Sequence, residues 1–170
     1  MSNLIRCIGY LAVTGILSFI IGRLLPKKWF DWNAAFFACW PIENGGKIYE
    51  RFHIRRWKDI APDMNKILPA LMPGRAPRAM HSSKEEVEGL LQETCVAEVI
   101  HLALAVLGFQ CVHIWPGFPG LLIALLHAVG NLPFIMIQRY NRPRFCKIYS
   151  KFTAEEKRAG QVSNYEGETA

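Results

Sequence analysis

Ionisable and amide side chains lie inside two strongly apolar stretches of the sequence, where they are costly unless they have a partner or a function. Glu98 and His101 are three residues apart, so a helix would place both on one face. Asn131 and Gln138, in the second stretch, are seven residues apart and would also share a face. A histidine beside a carboxylate is typical of an oriented general base, and an amide can stabilise a developing oxyanion. This combination predicts a catalytic site that transfers a proton and stabilises negative charge.

Further polar residues extend the candidate site toward one end of both stretches. Glu93 lies eight residues before His101, which again puts it near the same helical face. The second stretch is followed by a dense group of side chains able to bind a substrate: Arg139, Tyr140, Asn141, Arg142 and Arg144. Guanidinium groups bind phosphates through parallel hydrogen bonds, so this group is expected to hold a phosphate-bearing substrate.

Two other interpretations of these residues are open. Glu98 and His101 could simply satisfy each other, and an asparagine in a membrane helix often bonds a neighbouring helix. The Glu-x-x-His spacing also occurs in metal sites of helical bundles, but those sites use a second such motif, which this sequence lacks. We therefore expect no metal and no tightly bound cofactor, and we expect His113 and His127 to be structural.

Three long apolar runs must position these residues. They lie near residues 5–25, 95–114 and 120–138 of the 170-residue chain, and about 20 residues is the length that a helix needs to cross the hydrocarbon core. The five residues between the second and third runs allow only a tight turn. The sequence thus predicts an all-α membrane protein with about three transmembrane helices, forming a single domain over 1–150 that is followed by a polar tail at 151–170.

The first run could alternatively be a signal peptide. No small-residue cleavage site follows it, and Pro26, Lys27 and Lys28 come next, as after a retained membrane helix. Between the first two runs, aromatic and basic residues predict interfacial helices near 29–40 and 47–60 and a basic loop at 69–77. Ser82 or Ser83, followed by acidic residues, predicts the start of a helix that continues into the second span.

The distribution of positive charge predicts how the chain is oriented in the membrane. Lysine and arginine are abundant at 26–94 and after residue 138, whereas the turn at 115–119 has neither. By the positive-inside rule, the N-terminus is expected outside and the C-terminus in the cytoplasm. The net charge of +6, together with the apolar runs, favours contact with anionic lipid headgroups rather than with nucleic acid.

Three segments of the chain resemble one known family. They are AEVIH at 97–101, NLPFIMIQRYNRPR at 131–144 and RRWK at 55–58, and they are similar to hallmark segments of the glycosyl-4,4'-diaponeurosporenoate acyltransferase family. The resemblance runs from about residue 45 to residue 150. It implies a small membrane enzyme that transfers a fatty acyl chain to the sugar of a glycosylated carotenoid acid, with acyl-CoA or an acyl carrier protein as co-substrate.

The resemblance to an acyltransferase suggests a role for each candidate residue. His101 would deprotonate the acceptor hydroxyl while Glu98 orients its ring, and Asn131 and Gln138 would polarise the donor carbonyl. The remaining expected contacts are with donor phosphates or with the headgroup region: Arg139, Arg142, Arg144, Lys58, Trp57, Tyr140, Asn141 and Glu93. The acceptor could equally be another glycolipid, and the donor could be a phospholipid.

Functions of two other kinds are also compatible with the residues. A non-catalytic membrane assembly factor or lipid-binding protein would use Glu98, His101 and Asn131 only to hold helices together. A different membrane transferase, such as a methyltransferase, is less favoured because the sequence has no Gly-rich nucleotide-binding motif. For the acyltransferase, the expected partners are the bilayer, a lipid-linked acceptor and the acyl donor, and the sequence specifies no oligomeric state.

Overall fold

Three long helices dominate the computed structural model of the protein, which describes residues 2–58 and 83–168. The long helices are α1 (Asn3–Leu24), α3 (Lys84–Leu107) and α5 (Phe118–Glu168), and the short helices between them are α2 (Ile54–Trp57) and α4 (Cys111–Ile114). By length and composition, α1, the continuous Lys84–Ile114 helix and α5 can each cross a membrane. The predicted all-α membrane fold with three spans is therefore confirmed.

The second and third spans form an antiparallel hairpin, which is the largest interface of the fold. The side chain of Ser83 accepts from the backbone N–H of Glu86, and Glu86 accepts in return from the N–H of Ser83, so the predicted capping box starts α3. A 3₁₀ turn at Gly108–Gln110 joins α3 to α4. The chain then reverses at Gly117, whose φ of +92° suits glycine, and α5 returns along α3.

Helix α1 packs against α3 and α4 through small and polar residues. A Cβ on Gly22 would lie 3.2 Å from the side chain of Ile100 and 3.9 Å from that of Val96, so glycine permits the close approach. The Tyr10 hydroxyl donates to the Leu107 carbonyl oxygen at 3.0 Å. Most large apolar side chains of α1 are exposed on the protein surface, as expected for a helix that faces lipid.

Helix α5 is much longer than the span predicted at 120–138. It runs to Glu168 with Pro133 and Pro143 inside it, so the predicted polar tail at 151–170 is helical as far as Glu168. Contacts beyond the span hold this extension in place, because Lys84 of α3 pairs with Glu156 and the ring of Trp32 meets that of Tyr149 at 5.5 Å. The hairpin therefore continues past the apolar part of both helices.

The segment 26–58 folds over the end of the hairpin in short turns. It contains 3₁₀ helices at Lys27–Trp29, Pro41–Glu43 and Lys47–Phe52, followed by α2, where longer interfacial helices were predicted near 29–40 and 47–60. The difference has a physical reason, since the aromatic rings of this segment contact different partners on α5 rather than one common surface. The predicted basic loop at 69–77 and the end of the 47–60 element lie outside the described residues.

Candidate active site

His101 and Asn131 meet between α3 and α5. The distance from His101 Nδ1 to Asn131 Oδ1 is 2.9 Å, and Asn131 is buried. Asn131 Nδ2 donates to the carbonyl oxygen of His127 at 2.9 Å. A carbonyl oxygen can only accept, so this bond orients the amide with its oxygen toward His101. His101 must then donate from Nδ1, which leaves the lone pair of the neutral ring on Nε2.

The ring of His101 is fixed in position as well as in tautomer. It stacks on Phe134 with 4.6 Å between ring centroids and 7° between the ring planes, and the residue is half-buried. A neutral imidazole held through one nitrogen, with the other nitrogen available, is the arrangement by which hydrolases and transferases orient a general base. The structure thus brings together two of the residues that the sequence singled out, and Asn131 provides the orienting contact.

His127 supports this pair from the next turn of α5. Its ring lies against Gly108, where a Cβ would come within 2.5 Å of His127 Cδ2 and 3.3 Å of Cγ. The amide of Asn131 lies 3.4 Å from His127 Nε2 in addition to its bond with the backbone carbonyl. His127 was expected to be purely structural. Because His127 and Asn131 are four residues apart, the sequence already indicated that their side chains lie on the same face of a helix.

Glu98 belongs to a second, buried cluster rather than to the His101 site. Its Oε1 accepts from Arg139 Nη1 at 2.6 Å, and its Oε2 accepts from Arg142 Nη2 at 2.5 Å. Only 2% of Glu98 is exposed. The expected orientation of His101 by Glu98 therefore needs correction. A buried carboxylate gains more from two guanidinium groups than from a neutral imidazole, because charge-assisted hydrogen bonds are the stronger ones.

Glu43 completes this cluster and was missed in the sequence. Its carboxylate accepts from Arg139 Nε at 2.5 Å, from the backbone N–H of Trp40 at 2.8 Å and from the Tyr49 hydroxyl. Burial raises the pKa of Glu43, but the hydrogen bonds from Arg139, Tyr49 and Trp40 outweigh it and hold the pKa below its ordinary value. The stabilisation from ionised Glu43 is thus complete above that ordinary value and is lost only as the pH falls through the lowered pKa.

Tyr49 responds in the opposite direction. Burial raises the pKa of its hydroxyl, and the hydrogen bond to the Glu43 carboxylate raises it further. Tyr49 therefore stays protonated and acts as a donor to Glu43. The only feature of the sequence that could have pointed to Glu43 as a member of this cluster is its position as an isolated acidic residue after an aromatic stretch.

Arg139 and Arg142 are anchors of this cluster, whereas the sequence predicted that they bind a phosphate-bearing substrate. Only 8% of Arg139 and 3% of Arg142 are exposed. Trp40 covers the guanidinium of Arg139 at 4.4 Å from the ring centroid, and Phe37 covers that of Arg142 at 5.3 Å. Their other hydrogen bonds go to oxygens of Phe36, Phe37, Ala38 and Thr94. With partners on almost every N–H group, these guanidinium groups have little capacity left for a phosphate.

Tyr140 is the centre of a basic group on α5 near α2. Arg144 lies 3.4 Å from its ring centroid and Lys58 lies 5.8 Å from it, while Arg55 Nε donates to its hydroxyl at 3.2 Å. The carboxylate of Glu50 accepts from both Arg55 and Arg144. Arg144 and Lys58 therefore pack against the Tyr140 ring, and Arg144 also pairs with Glu50.

The other predicted contact residues separate into two kinds. Glu93 pairs with Lys27 at 2.5 Å, and Trp57 Nε1 donates to the Phe52 carbonyl oxygen at 2.8 Å, so both help to hold the 26–58 segment. Gln138 and Asn141 are half-buried. Within residues 2–58 and 83–168, neither of these two side chains has a hydrogen bond.

The chain is similar in sequence to known proteins over the region that contains the candidate site. A sequence model of the family described as glycosyl-4,4'-diaponeurosporenoate acyltransferase matches residues 26–151. Two curated relatives carry the same name and come from Staphylococcus aureus, strains USA300 and MRSA252. They are 27% and 28% identical over 129 residues, which is 75% of this chain and 76% of each relative. No solved structure matches.

The matched region contains most of the chain and both polar clusters. It begins before Glu43 and ends after Arg144, so it includes the 26–58 segment, α3, α4 and the site-bearing part of α5. The resemblance seen in three short segments therefore extends over the entire candidate site. On this evidence, the chain is a membrane acyltransferase that belongs to the glycosyl-4,4'-diaponeurosporenoate acyltransferase family.

Proposed function

We propose that the protein transfers a fatty acyl chain to a hydroxyl of a membrane-embedded glycosylated lipid, such as a glycosylated carotenoid acid. The hydrogen bond between His101 Nδ1 and Asn131 Oδ1 carries the proposal, because it leaves Nε2 of a neutral imidazole as a base inside a membrane-spanning helix. An acceptor hydroxyl that reaches this nitrogen must belong to a molecule that enters the membrane. The names of the relatives indicate an acceptor of this class.

In the proposed reaction, His101 first accepts a proton from the acceptor hydroxyl and then donates it to the leaving group of the donor. Nε2 takes the proton of the acceptor hydroxyl as its oxygen attacks the carbonyl carbon of the donor. The bond from this carbon to the leaving atom of the donor then breaks, and the leaving atom receives the proton from Nε2. Asn131 accepts from Nδ1 throughout and so stabilises the imidazolium form without itself being protonated.

The proposed site opens toward the cytoplasm. The positive-inside rule supports an external N-terminus and a cytoplasmic C-terminus, since Arg23, Lys27 and Lys28 lie at the end of α1. The basic group around Tyr140 lies at the same end of the fold. Activated acyl donors are intracellular, so this orientation gives His101 access to them.

Lipid mass spectrometry tests the proposed function. Membranes that contain the protein, a glycosylated lipid acceptor and an activated fatty acid should accumulate an acylated glycolipid whose mass increases by that of the fatty acyl group. The matched control is the same membrane without the protein. If the glycolipid pool is the same with and without the protein for every combination of acceptor and donor added, the proposed function is contradicted.

The contact between Gly108 and His127 gives a test that leaves all polar residues in place. In Gly108→Ala, the new methyl group would overlap the His127 ring at 2.5 Å, so the ring and the attached Asn131 must shift. We expect the rate of acyl transfer to fall by about 10–100-fold, since small displacements of catalytic groups have effects of this size. Gly130→Ala is the control, because nothing lies within 4 Å of its added Cβ. Equal rates for the two variants would contradict the positioning role.

A further inference from the structure

Two buried cysteines face each other where α1 packs against α4. The Cys7 thiol donates to the carbonyl oxygen of Cys111 at 3.9 Å, and the two thiol groups also interact with each other. Both residues are free thiols in the structure, and neither has any exposed surface. A disulfide requires a close approach of the two backbones. Contact between the sulfur of one residue and the backbone of the other indicates that approach.

The two cysteines belong to a regular antiparallel contact between α1 and the second span. Cys7 and Cys111 meet at the end of this contact that is nearest the N-terminus. About one turn further along α1, Tyr10 donates to Leu107, and near the other end Gly22 permits a close approach to α3. Partners on the second span thus come earlier in the chain as residues on α1 come later. This register holds the two sulfur atoms at the same level.

The proposed orientation in the membrane places this pair on the external side. Cys7 lies near the start of α1, and Cys111 lies about one turn before the hairpin turn at 115–119. Both of these ends are external in that orientation, and disulfides persist at cell surfaces. The other three cysteines lie beside the buried ion cluster at the opposite end of the hairpin: Cys39, Cys95 and Cys146. The same orientation places that end in the cytoplasm, where thiols stay reduced.

We propose that Cys7 and Cys111 form a disulfide that joins α1 to the hairpin at the external side of the membrane. This inference rests on the proposed orientation and not on the acyl-transfer reaction. In the oxidation, both S–H bonds break and one S–S bond forms, and a two-electron oxidant such as a membrane quinone takes up two electrons and two protons. Because both thiols are enclosed in the folded protein, the bond forms before α1 has fully docked on the hairpin.

The disulfide restrains the helix that packs beside the candidate active site. The two cysteines are 104 residues apart in the sequence, and a cross-link that closes a long loop restricts the unfolded chain most. Further along α1, Gly22 lies against Ile100, the residue that precedes His101. The bond therefore stabilises the packing of α1 against the same span that carries His101.

Alkylation before and after reduction tests the disulfide in the complete protein. Cells that produce the protein are quenched in acid, and their membranes are denatured and treated with N-ethylmaleimide. Mass spectrometry should then find a linked pair of peptides that contain Cys7 and Cys111, with the other three cysteines alkylated. In Cys111→Ala, Cys7 should be alkylated without reduction. Alkylation of all five cysteines of the unmodified protein without reduction would overturn the proposal.

Thermal unfolding in detergent measures what the disulfide contributes. Adding a reductant should lower the midpoint of the unmodified protein by about 5–15 °C, the range expected for one disulfide in a chain of this size. Cys7→Ala should have a lowered midpoint that the reductant does not change further. Cys95→Ala is the matched control, because Cys95 is equally buried and its loss should leave the effect of the reductant intact. An equal effect of the reductant on Cys7→Ala and on the unmodified protein would contradict the proposed bond.

Labelling of intact cells with a membrane-impermeant maleimide tests the orientation separately. Ser2→Cys should be labelled and Ser150→Cys should not, since both positions are exposed and lie toward opposite ends of the fold. If Ser2→Cys is labelled but the linked peptides are absent, the pairing of Cys7 with Cys111 is wrong. Labelling of Ser150→Cys instead would overturn the orientation, and with it the external location of the bond. Neither measurement depends on acyl transfer, so the proposed function is tested independently.

Discussion

Replacing His101 with glutamine should reduce acyl transfer by about 10²–10⁴-fold, the usual contribution of a general base. Glutamine can still donate a hydrogen bond to Asn131 Oδ1, so the contact between α3 and α5 is preserved. It has no basic nitrogen to take the proton of the acceptor. The measurement is the initial rate of acylated glycolipid formation at saturating donor and acceptor, with thermal unfolding in detergent measured on the same samples.

The same variant distinguishes catalysis from a role in holding helices together. If His101 only joins helices, His101→Gln should remain active because its hydrogen bond is kept, and an active, stable variant would contradict the catalytic assignment. His113→Gln is the matched control, since His113 lies exposed in the same span, beyond α3. Asn131→Leu should retain part of the activity, because the base remains but its tautomer is no longer fixed.

Much of this site could be predicted from local patterns in the sequence. The capping box at Ser83 and the apolar runs depend only on near neighbours, and both signals identified α3 and the hairpin correctly. Because the hairpin turn is short, counting helical turns from it places His101 and Asn131 at the same depth. That count required no knowledge of the packing between side chains.

The partners of the charged residues could not be obtained in this way. Glu98 and His101 are three residues apart and share one face of α3. The partners of Glu98 are nevertheless Arg139 and Arg142, which come from another helix. Glu43 arrives from an irregular segment whose path has no periodic pattern. A sequence shows how many charges are present. Only the three-dimensional path of the 26–58 segment determines which of them neutralise each other and which remain available.

Glu98→Leu is expected to destabilise the fold more than any other single change in the cluster. It removes the carboxylate shared by two buried guanidinium groups and leaves Arg142 without an ionic partner among the described residues. Breaking a buried ion pair in this manner typically costs about 3–5 kcal/mol. Thermal unfolding in detergent should show a clear decrease in midpoint, and activity should fall with the folded fraction rather than through a changed pH dependence.

Two further variants make this expectation specific to the buried cluster. Glu156→Gln removes an exposed partner of Lys84 on the same helical hairpin, and exposed pairs contribute little, so its midpoint should hardly change. In Glu98→Leu combined with Arg142→Met, the stranded charge is removed while Arg139 keeps its bond to Glu43. The double variant should therefore be more stable than Glu98→Leu alone. If it is less stable, the hydrogen bonds that Arg142 donates to Thr94 and Phe37 contribute more than the uncompensated charge costs.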